Sequence, residues 1–245
     1  MLHATKVGAT PGIRGDRAAK EVLKWNQRAA RSGSPSSMVK LGRAYLKMLP
    51  SALPYDEDRA AEMFHGAIAA SNEPDAHLGM AQLLAAQAKR EQEEGMGGGR
   101  GRGRRGGSGG ENAAREVVEG KLQAVVSHLE NAARGANAFA MFNLGIVHLY
   151  GYGVTGRKDP DLAGEWFEAS GLPEGLFARA LHARSKPGGD RSIAAATFEE
   201  RARALGYGAP WRIAARRATG SGGSAGVDLN FLWPRNADGL LPPEW

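Results

Sequence analysis

The chain of 245 residues holds no cysteine, which excludes disulfides, cysteine-ligated zinc and thiol catalysis. Its formal net charge is +6, but Arg100, Arg102, Arg104 and Arg105 supply four of those charges inside one glycine-rich tract, so the rest carries no broad basic face. No apolar run reaches bilayer-spanning length and no apolar signal core opens the chain, so the expectation is an intracellular protein, cytoplasmic or organellar, without membrane insertion.

In chain order, residues 1–15 read as a flexible lead. They contain Lys6 and Arg14 and no acid, a faint transit-peptide pattern set against a plain disordered lead-in. Helices are expected at 16–31, 35–47, 57–70, 75–92, 113–134, 138–150, 160–170, 173–184, 190–205 and 209–218. No stretch alternates with period two over a strand's length, and β-branched residues are sparse. Asp159-Pro160 places a capping oxygen before a proline at the first helical position, where the missing amide hydrogen costs nothing. Ser34-Pro35 and Glu73-Pro74 do the same less completely, and Asp56 or Asp58 and Asp190 are further capping candidates. Gly33, Gly135, Gly171 and Gly206 stand where left-handed C-terminal caps are expected.

A small residue recurs on the first helix of each successive pair, at Ser37, Ala76, Ala140, Gly175 and Pro210. Four places on follow Leu41-Gly42, Met80-Ala81, Leu144-Gly145, Arg179-Ala180 and Ala214-Ala215. Small side chains at this spacing flatten one helix face and let a neighbour approach closely. The second helices supply bulk: Met63, Phe64, Ala67 and Ile68; Trp166, Phe167 and Ala169; Ile193, Ala196, Phe198 and Ala202. The intervals are 39, 64, 35 and 35 residues, the long one holding the glycine-arginine insert. Recurrence at about 34–47 residues marks stacked helical repeats, none of which buries its apolar face alone.

The segment from Ala140 to Gly171 is the most complete copy. It carries Ala140, Leu144-Gly145, Tyr150, Gly151-x-Gly153-Val154, Asp159, Ala163 and Trp166-Phe167. In this it resembles the Sel-one-like repeat, a relative of the tetratricopeptide repeat. Leu41-Gly42, Tyr45, Asp58, Ala61 and Met63-Phe64 match in part, as do Ala76 and Met80-Ala81. The last two copies lack Leu-Gly and the glycine turn. The resemblance spans roughly residues 16–218. It implies an all-α protein, a right-handed α-solenoid of about five helix-turn-helix repeats that mediates protein–protein contacts, with no catalytic residues to carry over.

The insert within 93–112 is low-complexity sequence expected to be disordered, since a loop between paired helices lengthens at little entropic cost. Arg100, Arg102, Arg104 and Arg105 are its candidate RNA contacts through phosphates and stacking, although the tract has no aromatic of its own. Gly151-x-Gly153-x-x-Gly156 and Gly101-x-Gly103-x-x-Gly106 match a dinucleotide-binding pattern but lack the preceding strand it requires. His3, His65, His77, His128, His148 and His182 are scattered without metal-ligand spacing, and Asp56-Glu57-Asp58 reads as a helix start rather than an acid pair. No nucleophile elbow is present. Neither catalytic residues, a metal, a cofactor nor a small-molecule substrate is expected.

Ser221-Gly-Gly-Ser224 ends the helical pattern. The remaining tail, 219–245, is irregular yet holds Phe231, Trp233 and Trp245. These rings either cap the end of the repeat stack, the preferred reading, or anchor a partner. The expected function is a non-catalytic adaptor or scaffold whose protein partner the residues do not name. Candidate partner contacts are Asn143, Val147 and Tyr150 on the most regular copy, and Lys40, Arg43 and Lys47 at comparable offsets, suited to an acidic peptide. Two alternatives stay open: an RNA-associated accessory protein using the insert, and a structural or assembly subunit of a large complex, organellar or not.

Overall fold

The computed structural model describes residues 11–48, 53–97, 109–151, 158–185 and 191–206. Among the described residues all regular structure is helical: α1 (Pro11–Arg31), α2 (Pro35–Tyr45), α3 (Glu57–Ser71), α4 (Pro74–Gly97), α5 (Gly109–Arg134), α6 (Ala138–Tyr150), α7 (Pro160–Ala169), α8 (Pro173–Ser185) and α9 (Arg191–Ala204). The helix expected at 209–218, Asp190, and the rings of the tail lie outside the described residues. α1 begins five residues earlier than expected. α4 runs past 92 to Gly97 and α5 starts before 113, at Gly109; Glu93, Glu94 and Glu111 suit a helix, whereas the glycines in these extensions do not favour one. Residues 98–108, with the four arginines, lie outside the described residues.

The chain divides into two compact units, Met1–Ser71 and Asn72–Trp245. In the first, α1 packs on α2 and α2 on α3. Val39, Leu41, Ala44, Ala60, Phe64 and Ala67 are buried there, the last three completely. Asp56 rather than Asp58 caps α3, its Oδ1 accepting from Arg59 N at 3.0 Å.

In the second unit each helix packs on the next along the chain, from α4 to α9. Its main core joins Leu78, Ala81 and Ala85 of α4 to Val125 and Leu129 of α5, Leu144 and Ile146 of α6, and Ala163 and Phe167 of α7. Each fully buried leucine or phenylalanine contributes about 1.5–3 kcal/mol, and the interspersed alanines let the helices draw close. A smaller cluster of Leu176, Phe177 and Ala202, with Phe198 against it, holds α8 to α9. On α9, Ile193 is 69% exposed and Ala196 is exposed too, so of the residues expected to supply bulk only Phe198 and Ala202 turn inward, joined by Ala195.

The short links share one device. Gly33, Asn72, Ala136, Gly171 and Gly206 all have positive φ, at the same intervals of 39, 64, 35 and 35 residues that separate the small helical positions. After α1, Gly33 N donates to Ala30 O and Ser34 N to Ala29 O. After α5, Ala136 N donates to Ala133 O and Asn137 N to Ala132 O. These are the paired bonds of a Schellman cap. At the third link the left-handed residue is therefore Ala136, not the expected Gly135. Gly135 serves a different need: a Cβ there would strike the Pro74 ring.

Candidate interaction surface

The α6–α7 hairpin is held at three points. At its start, Asn137 Oδ1 accepts from Ala140 N at 2.9 Å, a side-chain cap, while Asn137 Nδ2 donates to Asp75 Oδ1 at 2.8 Å. At its turn, Gly151 closes α6 in the left-handed conformation, with its N–H donating to Val147 O. Asp159 N donates to His148 O at 2.8 Å, and Asp159 Oδ1 accepts from Leu162 N at 3.0 Å. Midway, Gly145 faces the Phe167 ring, and a Cβ on it would fall 2.5 Å from Cδ1. Phe142, one turn before Gly145 on α6, also meets that ring, centroid to centroid 5.5 Å.

The α2–α3 hairpin repeats the midway contact and the turn bond, although Ser34 makes no side-chain cap and Leu46, which closes α2, has negative φ. Gly42 faces Phe64, where a Cβ would fall 2.6 Å from Cε1. Asp56 N donates to Tyr45 O, as Asp159 N does to His148 O, and Ala60 N donates to Asp56 O, as Ala163 N does to Asp159 O. Every pair of equivalents, Gly42 and Gly145, Phe64 and Phe167, Asp56 and Asp159, Tyr45 and His148, stands 103 positions apart in the sequence.

Of the residues expected to meet a partner as outward or groove-facing contacts, Asn143 and Val147 are 1% and 3% exposed, which corrects their assignment. The reason is local. α6 is apolar nearly all round and is packed by α5 on one side and α7 on the other. Tyr150, at the last turn, is 36% exposed. On α2, Lys40 is exposed and Arg43 half-buried. Lys47 is not on the helix: α2 ends at Tyr45, Lys47 has positive φ, and its ammonium donates to Leu53 O. The three cations therefore do not form one helical row. Arg100, Arg102, Arg104, Arg105, Phe231, Trp233 and Trp245 lie outside the described residues.

The fold also joins side chains that are far apart in sequence. His77 of α4 is 4% exposed. Its Nδ1 stands 2.9 Å from His128 Nδ1 of α5, and its Nε2 stands 2.9 Å from Asn72 Oδ1. With the amide oxygen accepting from Nε2–H, the His77 Nδ1 lone pair accepts from His128 Nδ1–H. The pair has room for one proton between the rings. Burial lowers the His77 pKa below the ordinary histidine value. The two positions are separated by 51 residues, and no spacing in the sequence signals the meeting.

A second polar seam links α7, α8 and α9. Glu168 pairs with Arg179 at 3.6 Å and with Arg201 at 3.7 Å. Both guanidiniums also stand over the Phe198 ring, at 5.6 and 5.7 Å. Next to it, His182 Nε2 meets Asp161 Oδ1 at 3.0 Å. These contacts orient helices and present no nucleophile. Among the described residues no cluster of three or more histidine or acidic side chains could hold a metal ion, and no helix is long and apolar enough to cross a membrane. Compared with known proteins, the chain matches no protein-family model and no curated sequence.

Proposed function

We propose that the chain is a Sel-one-like repeat protein: a right-handed α-solenoid of about five helical hairpins that serves as a non-catalytic docking platform for other proteins. The observation that carries this reading is the recurrence of the glycine-on-phenylalanine contact, with its cap and turn hydrogen bonds, in α2–α3 and again in α6–α7. The positive-φ links at repeat intervals support it, since recurrent joints between similar hairpins are the mark of a repeat protein. A solenoid offers surface rather than a reaction centre, and the buried polar groups described above serve to join helices.

On this reading the partner meets the exposed residues of the hairpins, Lys40 and Tyr150 among them. The test is affinity purification of the tagged full chain after cross-linking, with stoichiometry measured by mass spectrometry. The expected result is a partner held at fixed ratio and released by Lys40→Glu together with Tyr150→Asp. Absence of any stoichiometric partner, or one indifferent to both exchanges and to every other exposed hairpin position, overturns the proposal.

A further inference from the structure

The histidine pair that joins α4 to α5 has a directed geometry. His77 Nδ1 and His128 Nδ1 stand 2.9 Å apart, and the ring centroids stand 5.2 Å apart. That centroid distance is about the largest that such a nitrogen contact allows, so both Nδ1 atoms lie on the line joining the rings. Each Nδ1 therefore aims straight at the other. The ring planes are tilted by 43°, which leaves that line unchanged. On the far side of His77, Nε2–H donates to Asn72 Oδ1 at 2.9 Å and so leaves Nδ1 as a bare lone pair. Asn72 is itself set by the backbone, as the left-handed residue of the link before α4. His77 is the buried ring and His128 the half-buried one.

We propose that this pair is a two-coordinate site for copper(I), held on the line between the two Nδ1 atoms. A histidine that ligates a metal donates its other N–H to an oxygen that fixes its tautomer and orientation, and Asn72 does this for His77. The ion takes the place of the shared proton. His128 loses the proton on Nδ1 and gains one on Nε2, so both rings stay neutral, no proton is released overall and the site carries the single charge of the ion. Metal–nitrogen bonds of about 2 Å put the two nitrogens about 4 Å apart, about 1 Å further than the contact between the rings. His128, partly open to solvent, is the ring that can swing, while Asn72 holds His77. The same geometry selects the ion. Zinc takes four ligands whose lone pairs converge tetrahedrally. Here two lone pairs oppose each other, and among the described residues no third histidine or acid completes a cluster. The cost of burying an ion rises with the square of its charge, which favours a single charge beside a ring only 4% exposed. A monovalent ion with a filled d shell favours linear two-coordination, and imidazole is a ligand that copper accepts. This inference is independent of the docking-platform reading, which concerns the outer surface of the hairpins.

The test is competition of the full chain for copper(I) against the weak chelator ferrozine, without oxygen and with ascorbate present, followed by X-ray absorption of the loaded protein. The expected result is one copper(I) per chain, with the absorption edge of a two-coordinate site and nitrogen neighbours only. His77→Gln and His128→Gln should each abolish it. Asn72→Gly keeps the left-handed link and removes the amide, so it should retain the stoichiometry and weaken affinity about tenfold or more. Circular dichroism checks the helix content of each variant. Should His77→Gln unfold, His128→Gln at its half-buried position decides alone. Failure to take any copper(I) from ferrozine overturns the proposal, as does binding that survives His128→Gln. So does an absorption spectrum with sulfur neighbours, which would assign the ion to methionines, or one of a three- or four-coordinate site.

Discussion

Gly145 of α6 lies against the ring of Phe167 of α7 so closely that a methyl group would sit 2.5 Å from Cδ1. The ring is 3% exposed and is also packed by Phe142, so it has little room to move. Overpacking of this kind costs about 1–3 kcal/mol, against which alanine gains about 1 kcal/mol of helix propensity over glycine. Gly145→Ala is expected to lower stability by up to about 2 kcal/mol in urea unfolding. In a Phe167→Leu background the same exchange should be neutral or better, a coupling visible in a double-mutant cycle. Gly120 of α5, with nothing within 4 Å of its missing Cβ, is the control. There Gly120→Ala should stabilise by up to about 1 kcal/mol.

Ala136 holds φ at 59° in the α5–α6 link, where three of the equivalent residues, Gly33, Gly171 and Gly206, are glycines. A left-handed residue with a Cβ costs about 1–2 kcal/mol, partly offset by its lower freedom when unfolded. Ala136→Gly should therefore raise stability by about 0.5–1 kcal/mol, read as a higher urea midpoint with an unchanged slope.

His77 supplies a pH dependence. Its folded pKa lies below the ordinary value of about 6.5 because burial disfavours the charged ring. Below that pH the unfolded chain binds more protons than the folded one. Stability from this group is thus full above about pH 6.5 and declines as pH falls toward the folded pKa. Urea midpoints at pH 7.5 and pH 5 should differ, and His77→Gln should flatten the difference. An unchanged slope in the variant would remove His77 as the cause.

Gln82 of α4 is 7% exposed, and neither its amide oxygen nor its nitrogen has a hydrogen-bond partner in the structure. A buried amide without partners costs about 1–3 kcal/mol. Gln82→Met keeps the length and removes the polar atoms, so the expected gain is about 1–2 kcal/mol, measured by thermal or urea unfolding. A loss would mean that the amide is satisfied by solvent in solution.

Much of the helical plan was legible in local chemistry. Pro35, Pro160 and Pro173 each begin a helix as observed, and Asp159 caps where its position ahead of a proline foretold. The small residues Ser37, Ala76 and Ala140 are buried at the matched positions. What misled was the environment of each face. Asn143 and Val147 look available on a single helix, and only the arrival of α5 and α7 on both sides buries them. Lys47 looks like the next turn of α2 until the helix stops two residues earlier.

The sequence by itself determined that the chain would be helical, where most helices start and stop, and which positions must stay small. Those outcomes depend on neighbours a few residues away, through capping oxygens, proline rings and helical periodicity. The tertiary structure alone decided that His77 would meet His128, that Ala136 rather than Gly135 would turn the chain, and which side of each helix is covered. These depend on groups tens of residues apart, brought together only when buried surface repays the ordering of the whole chain.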